Sequence, residues 1–102
     1  MIYTEIKKLH SMLEDAKIPH LFKSHIDGYQ VVLIKVDGKY NIDAIQIVGS
    51  YGSVDNKLEI MGGITKQEQL NNSVLGWLSA EEVFKRFKYC FENKTTIYVE
   101  KK

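Results

Sequence analysis

One cysteine, Cys90, and one proline, Pro19, are all that 102 residues contain of either type. A lone cysteine closes no internal disulfide, and small secreted domains lean on several, so a reducing compartment, the cytoplasm, is the expected location. Charge of one sign is equally scarce. Fourteen Lys+Arg against thirteen Asp+Glu leave a net charge of +1, with both signs interspersed. That distribution lacks the basic footprint of a duplex-binding protein, so nucleic acid is not supported as a partner. No apolar run approaches a membrane span, and Glu5, Lys7 and Lys8 interrupt MIYTEIKKLH where a secretory signal needs an unbroken apolar stretch. No membrane partner is expected. No low-complexity tract or internal repeat marks a boundary, so residues 1–102 read as a single domain with one core, which excludes multi-domain catalysis.

What is present is periodicity. Ile2, Ile6, Leu9, Leu13 and Ala16 fall on one helical face, and Pro19 is read as the stop. From His20 the period shortens to two. His20 to Ser24 reads as a strand, Asp27-Gly28 as a turn, and Tyr29 to Val36 as a strand apolar on both faces and therefore central. Asp37-Gly38 signals a second turn, and Ile42 to Val48 a further strand with Ile45 and Ile47 inward and Ala44 and Gln46 outward. Lys57 to Met61 resumes the strand pattern, Gly62-Gly63 suggests a hinge, and Thr65 to Ser73 reads as a polar surface loop. Ser79-Ala80-Glu81-Glu82 fits a capping box opening a helix at Ala80, with Val83, Phe84, Phe87 and Phe91 inward and Lys85, Arg86 and Lys88 outward. Asn93 should end that helix, and Thr95 to Glu100 reads as a last strand.

These elements predict an α+β fold. An antiparallel sheet of four to five strands should carry two helices on one face, in the order α-β-β-β-β-α-β, because the apolar helix stripes must bury against a sheet. The second face, expected to hold Gln30 or Val31, Ala44, Gln46 and Glu59, is then semi-polar and offers a contact surface.

Several residues invite chemistry. Gly49, Ser50, Tyr51, Gly52 and Ser53 form a loop in which two glycines let backbone amides approach an anion while an aromatic ring stands at the rim. Together with Trp77 this loop is the predicted ligand- or partner-binding site. The loop lacks P-loop and dinucleotide spacings and sits between strands, so a plain hairpin connection is the competing interpretation. His10, His20 and His25, with Asp27, suggest a metal, but their spacing is not that of a zinc site, and neither metal nor cofactor is expected. Cys90 falls on a buried helix face where thiols are inert packing. Ser50 and Ser53 lack a nucleophile elbow, so no catalytic residues are assigned. Six tyrosines and one tryptophan favour contact over catalysis, since aromatic rings bury much area with few rotatable bonds.

Two resemblances bear on function. The element order resembles the core of PD-(D/E)xK nucleases, whose metal is held by an Asp and by an acidic residue followed two positions on by Lys. Asp43 and Glu59 lie on successive strands, but Met61 stands where the lysine belongs and Lys57 precedes the acid, a pattern that implies at most a degenerate nuclease. The motifs IPHLFKSHIDGYQVVL, AIQIVGSYGS, LEIMGGIT and SVLGWLSAEEVFKRF, taken together in this order over roughly Leu13 to Phe87, resemble small uncharacterised proteins encoded in phages and prophages of Firmicutes. That resemblance implies a non-enzymatic accessory protein acting as a protein-binding module on a host or phage protein in the bacterial cytoplasm. The alternative is a binder of a small nucleotide-like ligand through Gly49–Ser53. A homodimer formed by strand addition along Thr95 to Glu100 is a further candidate partner.

Overall fold

The apolar repeat of the N-terminal segment folds into α1 (Glu5–Asp15) in the computed structural model, which describes residues 2–34 and 42–100. Ile6, Leu9 and Leu13 are buried along its inner face. Ile2 and Ala16 are exposed, and Tyr3 and Ile18 take the core positions at the two ends. Pro19 is not what stops the helix. Lys17 adopts a left-handed conformation (φ 58°), its amide donates to the Glu14 carbonyl, and the Ile18 amide donates to the Leu13 carbonyl. This is a Schellman closure, with Ile18 and Leu13 both buried beside it. It turns the chain back along the helix before Pro19 is reached.

Five strands follow: β1 (His20–His25), β2 (Gly28–Leu33), β3 (Asp43–Ile47), β4 (Leu58–Met61) and β5 (Val74–Leu78). Each pairs antiparallel with its sequence neighbour, giving the order β1-β2-β3-β4-β5. A single 3-10 turn (Ser53–Asp55) precedes β4, the short α2 (Lys66–Gln69) precedes β5, and α3 (Ala80–Asn93) follows it. The fold is thus α+β, with α1 and α3 packed on each other and on one face of the sheet. The Asp37-Gly38 turn, Val36, Tyr40 and the two terminal lysines lie outside the described residues.

The fifth strand is Val74–Leu78 rather than the C-terminal segment. Thr95 to Glu100 contributes one parallel bridge, Ile97 to Ile64, flanked by hydrogen bonds from Gly63 N to Thr96 O (2.8 Å) and Tyr98 N to Ile64 O (3.0 Å). The stretch read as a loop contains α2, whose Thr65 and Glu68 form a complete capping box. At α3, by contrast, only half of the expected box forms. Ser79 Oγ accepts from Glu82 N (3.2 Å), while the Ala80 amide donates to Glu5 of α1 (3.0 Å) and the Glu82 carboxylate turns to Arg86.

Strand facing in β3 is the reverse of the sequence expectation. Ala44 and Gln46 are fully buried under the helices, and Ile45 and Ile47 lie on the open face. Register carries the same alternation across the sheet: Val31 pairs with Ala44, which pairs with Ile60 on the covered side. Gln46 tolerates burial because both ends of its amide are satisfied. Its Oε1 accepts from Ile6 N (3.0 Å) and its Nε2 donates to Asn56 Oδ1 (2.7 Å). Arg86, expected outside, is also buried. The open face retains Gln30, Asp43, Glu59 and Met61 among apolar neighbours.

Candidate functional site

The Gly49–Ser53 segment leaves the end of β3 and is tied by hydrogen bonds to Ile47, to Glu59 and within itself. Ser50 Oγ donates to the Ile47 carbonyl (2.8 Å) and accepts from the Ile47 amide (3.2 Å). Ser50 N donates to Ile47 O, Ser53 N to Ser50 O, and Tyr51 N to the Glu59 carboxylate (2.8 Å). Three of the five amides therefore have internal acceptors, one of them a carboxylate that repels anions. The chemistry the loop offers outward is its ring.

Tyr51 stacks on Trp77, with ring centroids 5.9 Å apart and planes 11° from parallel. Both are large and open to solvent, Tyr51 at 52% and Trp77 at 58% exposure. The backbone beneath is built to bring them together. A Cβ on Gly76 would come 2.3 Å from Tyr51 Cβ, and one on Gly52 would come 2.9 Å from the Trp77 backbone. Gly52 also sits at φ 96°, a region that side chains avoid. Trp77 itself is left-handed (φ 58°), although it lies in a strand and is not glycine. Such a conformation costs of order 1–3 kcal/mol and persists only where its surroundings impose it. Here the Trp77 amide donates to Tyr51 O (3.3 Å) and the indole Nε1 to Asp55 (3.3 Å). Asp55 and Glu59 thus place carboxylates at the edge of an aromatic shelf.

No family model, curated protein or solved structure matches the chain. Function must come from the site itself.

The predicted site residues divide by role. Tyr51 and Trp77 form the shelf, Gly52 permits their approach, Ser50 ties the loop to β3, Gly49 closes the turn at φ 90°, and Ser53 is buried. The sequence offered no sign that Asp55 and Glu59 would rim the shelf, because neither stands beside an aromatic in the chain. The contact across β4 and β5 brings them there.

Other candidates fall elsewhere. Asp43 and Glu59 share the open face on adjacent strands, with Met61 directly opposite Asp43. Burial pushes the Asp43 carboxyl above its ordinary value of 3.8, the Gln30 amide opposes that, and the Glu59 charge adds to it. Gln30 Nε2 donates to Asp43 (2.9 Å), and the His25 ring bonds Gln30 Oε1 (2.9 Å). This is a continuous polar line across β1, β2 and β3. Cys90 is fully buried, and desolvation raises its thiol to about 11, against a smaller lowering by Arg86. A thiol so placed is not a nucleophile. Of the tyrosines, Tyr3 and Tyr98 are core residues. Among the described residues, the side chains that could share a metal ion are His10, Glu14 and His20, a group without His25 or Asp27.

Proposed function

We propose that the protein is a non-enzymatic protein-binding module, an accessory protein of the phage or prophage kind its sequence resembles, acting in the bacterial cytoplasm. The observation that carries this is the Tyr51–Trp77 shelf, two stacked aromatics more than half exposed on a backbone that is strained to present them. Tyrosine and tryptophan dominate the energetics of protein contacts because they bury large rigid surfaces. The carboxylates of Asp55 and Glu59 favour a partner segment carrying arginine, whose guanidinium stacks on a ring and pairs with a carboxylate at once.

Trp77 is the sole tryptophan, so its fluorescence reports the site directly. The test is retention of proteins from bacterial lysate on the immobilised chain, followed by titration of the retained partner. Trp77→Ala should weaken that partner by about thirtyfold, the effect of an interface hot spot, while leaving the melting temperature near that of the parent. Equal retention by Trp77→Ala would defeat the proposal. A second reading is favoured by the flat stack itself, which suits the face of a planar nucleotide-like ligand. Quenching of Trp77 by free nucleotides, with no protein retained, would move the assignment to that class.

A further inference from the structure

The end of α1 and the start of β1 hold a cluster unconnected with the aromatic shelf. His10 and Glu14 are one helical turn apart, and the Schellman closure returns the chain so that His20 lies against them. His20 Nε2 is 2.8 Å from His10 Nδ1 and 3.8 Å from Glu14 Oε1, and His10 Nδ1 is 4.0 Å from that same oxygen. The three ligand atoms therefore form one small triangle.

Two features prepare the imidazoles. His20 Nδ1 bonds the Ile18 carbonyl (2.8 Å), which fixes the proton on Nδ1 and leaves the Nε2 lone pair facing the triangle. Its side chain is 3% exposed, so this orientation is locked by packing. The His10 ring lies flat on Phe22, centroids 4.3 Å apart and planes at 13°, and edge-on to His20. A histidine held through its second nitrogen by a carbonyl is the usual support of a metal ligand. The third group, Glu14, is exposed and free to adjust. Beyond it opens a cleft of about 290 Å³ bordered by Glu14, Lys17 and His20.

We propose that His10 Nδ1, His20 Nε2 and a Glu14 carboxylate oxygen form a site for a divalent transition metal of the zinc type, with its fourth position open to the cleft. Bonds of about 2.1 Å in a tetrahedron imply ligand atoms about 3.4 Å apart, a value the observed 2.8, 3.8 and 4.0 Å bracket. Without metal, His10 donates its Nδ1 proton to His20. When the ion takes that lone pair, His10 carries its proton on Nε2, so the ring stays neutral and the ion replaces a hydrogen bond. Two imidazoles and one carboxylate suit zinc, cobalt or nickel better than magnesium or calcium, which prefer oxygen. The bound ion would staple the C-terminal end of α1 to the edge strand β1.

The test is calorimetric titration of the full, chelator-stripped chain with Zn2+, alongside Co2+ absorption, whose intense visible bands report four-coordination. One ion per chain should bind and raise the melting temperature. Glu14→Gln, an exposed change that leaves the fold intact, should weaken binding by about tenfold or more, and His20→Gln should abolish it. His25→Ala, outside the cluster, should bind as the parent does. Absence of stoichiometric binding, or equal loss in His25→Ala and Glu14→Gln, would overturn the site and leave His10 and His20 as a hydrogen-bonded pair.

Discussion

Asp43 shows how a single residue can oppose the fold that holds it. Its carboxyl is half-buried on the open face, where desolvation favours the protonated form and Glu59 reinforces that preference. Because the folded value lies above the ordinary 3.8, stability contributed by this group is greatest below that value and falls as pH rises through the folded one. Asp43→Asn keeps an oxygen for the Gln30 amide and removes the charge. Its melting temperature should exceed the parent's at pH 7, and the two should converge in acid below the ordinary aspartate value. Equal melting temperatures at pH 7 would mean the carboxylate is well solvated. Trp77 is the other residue at odds with its local rules, a left-handed aromatic in a strand, and it belongs to the site argued to carry function.

Elements in this protein are joined by side chains that reach across to one another's ends. The first turn of α1 has no cap of its own, since Thr4 makes no side-chain cap bond. Instead Asn56 Oδ1, from the turn before β4, accepts from Thr4 N (3.0 Å) and Glu5 N (3.4 Å). Asn56 is left-handed (φ 55°), so Asn56→Gly keeps the backbone while removing both the cap and the acceptor of the buried Gln46 amide. Urea denaturation should show a loss of about 2–4 kcal/mol for that variant, the lost cap plus an unsatisfied buried donor. Arg86 does similar work from α3. Its guanidinium meets both oxygens of Glu68 on α2 (2.8 and 3.0 Å), Glu82, the Gly63 carbonyl and the face of Tyr98. The Arg86 hydrogen bonds hold the Glu68 carboxyl below its ordinary 4.5 against a smaller desolvation effect. Stability from that depression is fully present above 4.5 and is lost as pH falls through the folded value. Glu68→Gln should lose about 2 kcal/mol at neutral pH, the scale of hydrogen bonds to a charged group. The deficit should shrink in acid, where the parent carboxyl is protonated too. A deficit independent of pH would mean that the charge of Glu68 is not what Arg86 depends on.

Across the whole molecule, one core joins the two long helices to the covered face of the sheet, and Cys90 sits inside it. With the thiol fully buried and raised to about 11, a thiol reagent at neutral pH should label Cys90 only when the core opens. Labelling should therefore rise with urea in step with the circular dichroism transition. Rapid labelling in the native state would show that α3 opens locally. The same scale governs the edges. Thr95 to Glu100 lies against Ile64 with Tyr98 buried, so the sheet's two edges are β1 and β5. No helix among the described residues is long and apolar enough to cross a membrane.

Periodicity and turn signals were enough for the α+β class, the antiparallel sheet and the presence of α1 and α3, because amphipathic repeats report directly on which faces must leave water. It misjudged residues whose burial depends on a distant partner. Gln46 goes inward because Ile6 and Asn56 satisfy it, and Arg86 because Glu68 and Glu82 do; neither partner set is visible in a local window. The C-terminal segment alternates like a strand, yet it pairs only through a single bridge from Ile97 to Ile64, outside the five-stranded sheet. The site divides in the same way. Tyr51 and Trp77 could be named from residue type and glycine neighbours, whereas their stacking, their acidic rim and the meeting of His10, Glu14 and His20 arise only when segments far apart in sequence are packed together. Hydrophobic patterning is a local property of the chain; polar partnership and ligand geometry are properties of its tertiary contacts.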